Sequence, residues 1–149
     1  MAGVSRTVEV NVPIAEFFKV ITDYKGYCDF IPEMKKVREV RRTGNVVEMT
    51  YTIEVDAGVA KKEISYTLKH TETAPGKMSW SMIKGDMMKS NDGGWELTAV
   101  GEGKTKAVYS IDIGFGMLVP KTVSNLLQER GLPKLMEQFK GRAESLHKK

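Results

Sequence analysis

The residues of this chain that could perform acid–base, nucleophilic or metal chemistry are few and widely separated. The sequence contains two histidines and one cysteine. His147 lies in a basic tail, His70 stands near the end of a predicted strand, and Cys28 has no histidine near it in sequence. A zinc site needs three or four Cys, His, Asp or Glu ligands at defined spacing, and the sequence has no such cluster. We therefore predict no metal site and no reactive thiol, and we interpret His70 as structural.

Two glycine-containing stretches are similar to nucleotide-binding motifs but lack their context. Gly103-Lys104-Thr105 looks like the end of a phosphate-binding loop, yet Thr98 stands where the earlier glycine is required. Gly114 and Gly116 precede a predicted helix, but the third glycine of a dinucleotide-binding turn is missing. A Gly-x-Ser-x-Gly nucleophile motif is also absent from the sequence. The sequence therefore predicts no cofactor and no catalytic residue.

The most informative residues alternate along predicted strands and are rich in aromatic rings and methionine. A dry core more often uses Leu, Ile and Val, whereas a ligand-lining surface mixes apolar groups with a few hydroxyls. We predict such a surface, with a solid core as the open alternative, and expect the Tyr51 and Tyr109 hydroxyls to orient a ligand's carbonyl or hydroxyl group. The predicted lining residues are Met49, Tyr51, Ile53, Tyr66, Leu68, Trp80, Met82, Trp95, Leu97, Tyr109, Ile111 and Ile113 on the strands, and Val123, Leu127, Met136 and Phe139 on the last helix.

Most of the chain from Val37 to Gly114 has the two-residue period of β-strands. The clearest strand is Val47–Val55, where apolar residues alternate with Glu and Thr, and an earlier strand covers Val4–Val12. Short turns such as Thr43-Gly44-Asn45 separate the strands. The stretch Met87–Gly94 is polar and contains glycine, which indicates a bulge. The pattern predicts an antiparallel meander of about seven strands.

Helical spacing occurs in two places along the chain. Two short helices, Pro13–Tyr24 and Tyr27–Ile31, are predicted after the first strand. A long amphipathic helix, Leu118–His147, follows the last strand, and Pro133 predicts a bend just upstream of itself. A helix this long needs an apolar surface to lie on, so we predict an α+β fold in which a curved sheet wraps around it. Its stripe beyond the bend consists of Leu132, Leu135, Met136, Phe139, Ala143 and Leu146.

Length and composition fit one globular domain covering residues 1–149. The chain has 149 residues, of which 41% are hydrophobic and 28% charged, enough to bury a core. Its apolar runs are shorter than the roughly 18–20 residues of a membrane span, and its first residues lack a signal-peptide core. A single cysteine fits a reducing compartment, so we expect a cytoplasmic location. The net charge of +4 is too small by itself to predict binding of nucleic acid.

Several loose motifs occur along the chain in a recognisable order. They are Val8-x-Val10-x-Val12-Pro13, Tyr27-x-x-Phe30-Ile31-Pro32, Trp95-x-Leu97 and Gly101-x-Gly103-x-Thr105, followed by the long helix. This order resembles the START-like superfamily, above all its polyketide cyclase/dehydrase and coenzyme Q-binding branch, which includes the ribosome-association toxin. Cys28 departs from the Tyr-Pro that the branch often has here. The resemblance implies a helix-grip fold with a deep apolar cavity, and it leaves the activity open.

Three functions remain open at this point. The first, which we favour, is a non-catalytic carrier or sensor of a hydrophobic small molecule such as a lipid, quinone, isoprenoid or polyketide. The second is a polyketide aromatase/cyclase, which requires a positioned acid or base. The third is contact with a ribosome or membrane through a basic strand, Lys35, Lys36, Arg38, Arg41 and Arg42. DNA binding is not expected because the two short helices lack a basic recognition face. The oligomeric state is left open.

Overall fold

The fold is an antiparallel sheet with helices packed against one face. The computed structural model describes residues 4–56, 61–85, 88–115 and 132–147. The helices are α1 (Ile14–Thr22), a 3₁₀ helix (Tyr24–Asp29) and α2 (Leu132–His147). The strands are β1 (Val4–Val10), β2 (Met34–Thr43), β3 (Val46–Asp56), β4 (Lys61–Thr73), β5 (Lys77–Gly85), β6 (Met88–Gly101) and β7 (Lys104–Phe115).

Within the described ranges, all seven strands belong to one curved sheet with the order β1-β7-β6-β5-β4-β3-β2. Strands β2 to β7 follow one another as a meander, and β1 pairs antiparallel with β7. The two helices that follow β1 therefore connect one edge of the sheet to the other. The predicted α+β layout and the number of strands are confirmed.

Alternation of side chains across the strands sets the inward face. On β3, Val47, Met49 and Tyr51 are buried. On the opposite face, Thr50 and Thr67 join their hydroxyls across β3 and β4 at 2.8 Å. Burial of alternate apolar side chains is the main favourable term that holds such a sheet to its helices, at about 25 cal/mol per Å² of apolar surface.

The short helices differ in their bounds from the prediction. The second one is a 3₁₀ helix that begins at Tyr24, whereas the sequence pattern placed it at Tyr27–Ile31. Gly26, which the prediction left between the two helices, lies inside the 3₁₀ helix. A Cβ at this position would meet the Asp23 carboxylate, so a larger residue here would require that side chain to move.

The predicted bulge in the sixth strand is present. The register of β6 against β7 shifts between Met88 and Ser90. Further along, Gly93 allows close approach, because a Cβ there would lie 2.8 Å from Cζ2 of Trp80. The glycine that made this stretch ambiguous in sequence therefore makes room for an inward-facing indole.

The last helix, α2, buries Met136, Phe139 and Ala143, which confirms this part of the predicted apolar stripe. Leu146 was predicted to continue the stripe but is 42% exposed, because the helix runs beyond the surface it covers. The predicted start of the helix at Leu118, and the bend upstream of Pro133, lie outside the described residues, as do Val123 and Leu127.

Polar contacts fix α2 along its length. Near its start, Lys134 bonds to Glu33 at 2.9 Å, and the hydrogen bond from Lys134 lowers the pKa of Glu33 although partial burial opposes this. Further along, Lys140 donates to the carbonyl oxygen of Glu9 at 2.8 Å, and Arg142 lies 5.5 Å from the centre of the Phe30 ring. The helix is thereby held against both β1 and the segment that follows the 3₁₀ helix.

Candidate functional site

The structure separates the predicted lining residues into two groups on the inward face. The first group is buried in the main core and consists of Met49, Tyr51, Leu68, Trp80, Trp95, Leu97, Tyr109, Met136 and Phe139. The second group is half-buried and consists of Ile53, Tyr66, Met82, Ile111 and Ile113. The first group already packs against the helices. Four members of the second group, Ile53, Tyr66, Met82 and Ile113, pack around Ile64 and Met88 toward one end of the sheet, which we call the Met88 end, and Ile111 packs against the main core.

Aromatic rings make one connected network through the first group. Trp95 meets the rings of Phe17, Tyr109 and Phe139 edge-on, with centroids 5.4, 4.8 and 5.2 Å away. All five tyrosines of the chain have ring contacts in this network. Edge-to-face packing of this kind fixes ring orientation and adds to the stability gained from burial. The buried group is therefore a rigid aromatic floor.

His70 lies inside this floor, almost completely buried, and has ring contacts with Tyr24, Tyr51 and Trp80. Its Nε2 atom lies 2.6 Å from the Tyr51 hydroxyl, and its Nδ1 atom lies 3.3 Å from the sulfur of Met78. The Tyr24 ring stacks on the imidazole at 4.3 Å. Burial lowers the pKa of His70 to about 3, so the ring is neutral at physiological pH. The interpretation of His70 as structural agrees with these contacts.

The contacts of His70 also assign its proton. A sulfur atom next to Nδ1 is a weak acceptor, so the favourable tautomer carries its hydrogen on Nδ1 and leaves Nε2 to accept. The Tyr51 hydroxyl then donates to Nε2. Tyr51 can therefore offer a ligand the lone pairs of its oxygen but no proton.

Other polar tips on the inward face are already paired. The Trp80 indole donates to the side-chain oxygen of Asn91 at 2.8 Å, and Tyr27 donates to the carbonyl oxygen of Ile21. Tyr24 donates to Glu72 at 2.7 Å. Sequence reasoning missed Asn91 and Glu72 as partners. Asn91 lies in the bulged stretch, where alternation does not indicate which side chains point inward. Glu72 lies two residues after buried His70 on the same strand, so the two-residue period could have placed it on the inward face.

The hydroxyls of Tyr66 and Tyr109 differ from those of the other tyrosines. Neither has a hydrogen-bond partner within the part of the chain that the structure describes. Burial raises the pKa of both phenols, and the neighbouring Tyr66 raises that of Tyr109 further. Both side chains are therefore neutral and able to donate. Tyr66 packs against both the main core and the apolar residues of the Met88 end, and Tyr109 lies in the main core.

The basic strand predicted from sequence is β2, at one edge of the sheet. Lys35 pairs with Glu54 at 3.9 Å, and Arg42 with Glu72 at 3.6 Å. The register places Lys36, Arg38 and Arg41 opposite Thr52, Thr50 and Glu48, on the outer face. These three cations have no ion-pair partner among the described residues. Charge along an exposed edge also protects it from pairing with other strands.

The described residues contain no group of three or more His, Cys, Asp or Glu side chains that could hold a metal ion. Among the same residues, no helix is both long and apolar enough to cross a membrane. Cys28 is exposed and unpaired with any other cysteine.

Fold and sequence together define the class to which this chain belongs. Residues 10–140 match the family described as "Polyketide cyclase / dehydrase and lipid transport", and the chain is a member of that family. The resemblance inferred from the motif order is confirmed.

Particular relatives are distant in sequence. The chain is 22% identical over 138 residues to the persistence and stress-resistance toxin PasT of Escherichia coli O6:H1, a match that covers 86% of this chain and 84% of PasT. Its fold is similar to the Zhui aromatase/cyclase from Streptomyces sp. R1128 (TM-score 0.83, 19% identity, 96% of this chain and 93% of that one). It is equally similar to a START superfamily protein from Mycobacterium smegmatis (TM-score 0.83, 20% identity, 97% and 98%). At these identities, the solved structures establish the shared fold.

Proposed function

We propose that this protein binds a hydrophobic small molecule between the inward face of the sheet and its C-terminal helix, as a carrier or sensor. The observation that carries the proposal is the pair of donors, Tyr66 and Tyr109, without partners among the described residues. Tyr66 shares a cluster with the half-buried Ile53, Met82 and Ile113, and Tyr109 lies in the main core, against which Ile111 packs. Binding sites for apolar ligands have this composition, an apolar lining with a few polar groups that fix orientation.

The energetics are sufficient for such a role. Removing about 500 Å² of apolar ligand surface from water contributes about 12 kcal/mol at about 25 cal/mol per Å². Micromolar affinity corresponds to about 8 kcal/mol, so burial of this size plus one or two hydrogen bonds reaches that range after an association cost of about 4–6 kcal/mol.

The hydrogen bonds and pKa shifts of the buried polar groups favour ligand binding over catalysis. An aromatase/cyclase needs an acid or base that can exchange a proton with its substrate. His70 is the strongest base candidate among the described inward-facing residues, but its ring nitrogens face Tyr51 and Met78. Burial also raises the pKa of the inward tyrosines, which makes them weak acids.

A titration with a fluorescent quinone analogue or fatty acid tests the proposal, with two adjacent residues as a matched pair. Met82 is half-buried at the Met88 end, whereas Ile83 points to the other face and is 50% exposed. Met82→Trp should fill the site and weaken binding at least tenfold, and Ile83→Trp should bind like the wild type. The proposal fails if the wild type binds no apolar probe saturably, and the site is misplaced if Met82→Trp binds as well as Ile83→Trp.

A further inference from the structure

The positive charge of this chain is concentrated in one strand. β2 contains a single carboxylate, Glu39, and five cations, which are Lys35, Lys36, Arg38, Arg41 and Arg42. This excess of four positive charges equals the formal net charge of the whole chain, which is +4. The remaining residues are therefore neutral in sum, and the attraction of an anionic partner is directed at β2.

β2 also forms an edge of the sheet and is open to solvent. It stands last in the strand order, so one of its two backbone edges has no neighbour within the described sheet. Eight of its ten residues are exposed, which leaves that edge accessible. An open edge presents N–H and C=O groups to which an extended peptide can add as a further strand.

Three of the five cations are available to a partner. Lys35 and Arg42 pair with carboxylates of β3 and β4, at 3.9 and 3.6 Å. Lys36, Arg38 and Arg41 are exposed on the outer face and have no ion-pair partner among the described residues. Alternate side chains of a strand point the same way, so Lys36 and Arg38 are spaced about 7 Å apart along it. Alternate carboxylates of an extended peptide have the same spacing.

The other edge of the sheet, β1, shows that an exposed edge does not need charge of one sign. Its charged residues have both signs, Arg6 and Glu9, and Glu9 pairs with Lys104 at 3.6 Å. The charges of β2 repel a second copy of that strand, but they attract a strand of opposite charge. The edge is therefore selective for an acidic strand rather than closed to every strand.

Irregularities in β2 limit the length of the segment that can add to it. The register against β3 shifts between Met34 and Lys36, and again between Glu39 and Arg41. Such bulges twist the strand locally and interrupt a ladder of hydrogen bonds. The regular part, residues 36–39, therefore suits a short linear segment better than the long edge strand of another domain.

The outer face of β3 favours a peptide beside β2 over a polyanion that lies across the sheet. Glu48 and Glu54 alternate with threonines on that face, and Glu48 lies opposite Arg41. A nucleic acid or lipid surface covering the face would meet these carboxylates, and neither strand offers an outward aromatic ring on which a base could stack. A strand added at the edge lies about 5 Å from β2 and about 10 Å from β3, so attraction exceeds repulsion.

We propose that β2 is a docking edge for a short acidic segment of another protein. The segment adds as an extra strand along residues 36–39 and places alternate carboxylates against Lys36 and Arg38. Arg41, beyond the second irregularity, extends the positive charge. The inward face of the sheet takes no part, so this proposal is independent of the proposed ligand binding.

Fluorescence anisotropy with labelled peptides and the full chain tests the proposal. The probe is a peptide of about six residues with blocked ends, in which Glu alternates with the strand-forming residue Thr. One control peptide has Gln for each Glu, and another keeps every Glu but has Pro for the central Thr, which removes a backbone donor. The acidic peptide should bind about fivefold more tightly than either control, as expected for two cross-strand ion pairs, and more weakly as salt increases.

A matched pair of variants locates the binding edge. Lys36→Ser/Arg38→Ser should lose the preference for the acidic peptide over its Gln control. Lys69→Ser/Lys77→Ser removes the same charge from exposed positions of β4 and β5, inside the sheet, and should keep that preference.

Three results would overturn the proposal. The first is equal binding of the acidic and Gln peptides, or an unchanged preference in the β2 variant. The second is equal binding of the Pro-containing peptide, which assigns the attraction to charge without strand addition. The third is tighter binding of a single-stranded oligonucleotide, or of vesicles of phosphatidylcholine and phosphatidylserine, that is lost in the β2 variant.

Discussion

The Tyr51 hydroxyl lies 2.6 Å from Nε2 of His70, and both side chains are almost completely buried. Each satisfies a polar group of the other that would otherwise be buried without a partner. The bond joins neighbouring strands β3 and β4 within the aromatic floor. It fixes the direction of the Tyr51 proton. Tyr51 therefore uses its proton within the core, whereas a tyrosine without such a partner can donate to a ligand.

Loss of one partner should cost more than loss of both. His70→Leu leaves the Tyr51 hydroxyl buried without its acceptor, and we expect the free energy of unfolding to fall by about 1–3 kcal/mol. The double variant His70→Leu/Tyr51→Phe should recover part of that loss. Urea unfolding of the two single variants and the double variant measures the coupling energy. Strictly additive losses would contradict the assigned bond.

Acid should destabilise the fold through His70. Burial lowers its pKa from the ordinary 6.5 to about 3 in the folded state. The unfolded chain therefore binds a proton below pH 6.5 that the folded chain does not accept until about pH 3. The contribution of neutral His70 to the free energy of unfolding is therefore complete above pH 6.5. It falls by up to about 1.4 kcal/mol per pH unit as the pH decreases from 6.5 to about 3.

Urea unfolding at pH 7, 5.5 and 4.5 measures this effect, with His70→Gln as the comparison. Glutamine does not titrate, and its amide oxygen can still accept from Tyr51. The variant should show a shallower pH dependence than the wild type. Parallel curves would assign the acid sensitivity to carboxylates such as Glu33, whose pKa is lowered in the fold, rather than to His70.

Phe139 should be the most important apolar side chain of α2. It is buried and meets the rings of Tyr27, Phe30 and Trp95. Phe139→Ala should reduce the free energy of unfolding by about 3–5 kcal/mol, because it leaves a cavity that the rigid rings cannot fill. Leu146→Ala on the same helix is the control, since Leu146 is 42% exposed, and it should cost less than about 0.5 kcal/mol. Similar losses in denaturant melts of the two variants would contradict the packing described.

Pro133 should influence how fast a ligand enters and leaves. Proline has no N–H to donate to a carbonyl four residues back, so the sequence predicts a bend upstream of Pro133, and we predict that such a bend lets the helix open the site. Beyond it, Lys134 anchors α2 to Glu33 at 2.9 Å. Pro133→Ala should straighten the helix and change the exchange rates of a bound probe in stopped-flow measurements. Unchanged rates would remove the gating hypothesis and leave the fold intact.

The sequence predicted those features that depend on a local period. Alternation along Val47, Met49 and Tyr51 identified the inward face, and the spacing of Met136, Phe139 and Ala143 identified the buried side of α2. The bulge near Met88 also followed from local composition. These signals are strong because burial acts on every second or every third to fourth residue.

Features that depend on pairing between distant residues could not be predicted. His70 is separated in sequence from Tyr24 and Tyr51, so neither its stacking nor its hydrogen bond has a local signature. For the same reason, the Tyr51 hydroxyl was expected to face a ligand, although its proton points to His70. The difference between the buried and half-buried groups depends on where the helices end on the sheet, which residue spacing does not specify.

Native mass spectrometry of freshly purified protein tests the central claim most directly. The wild type should retain an apolar small molecule, or take one up from an added quinone or fluorenone at a ratio of one per chain. Met82→Trp should lose that adduct, and Ile83→Trp should keep it. A wild type that carries no adduct and acquires none from any apolar probe, while remaining folded, would contradict hydrophobic ligand binding and establish the inward face as a solid core.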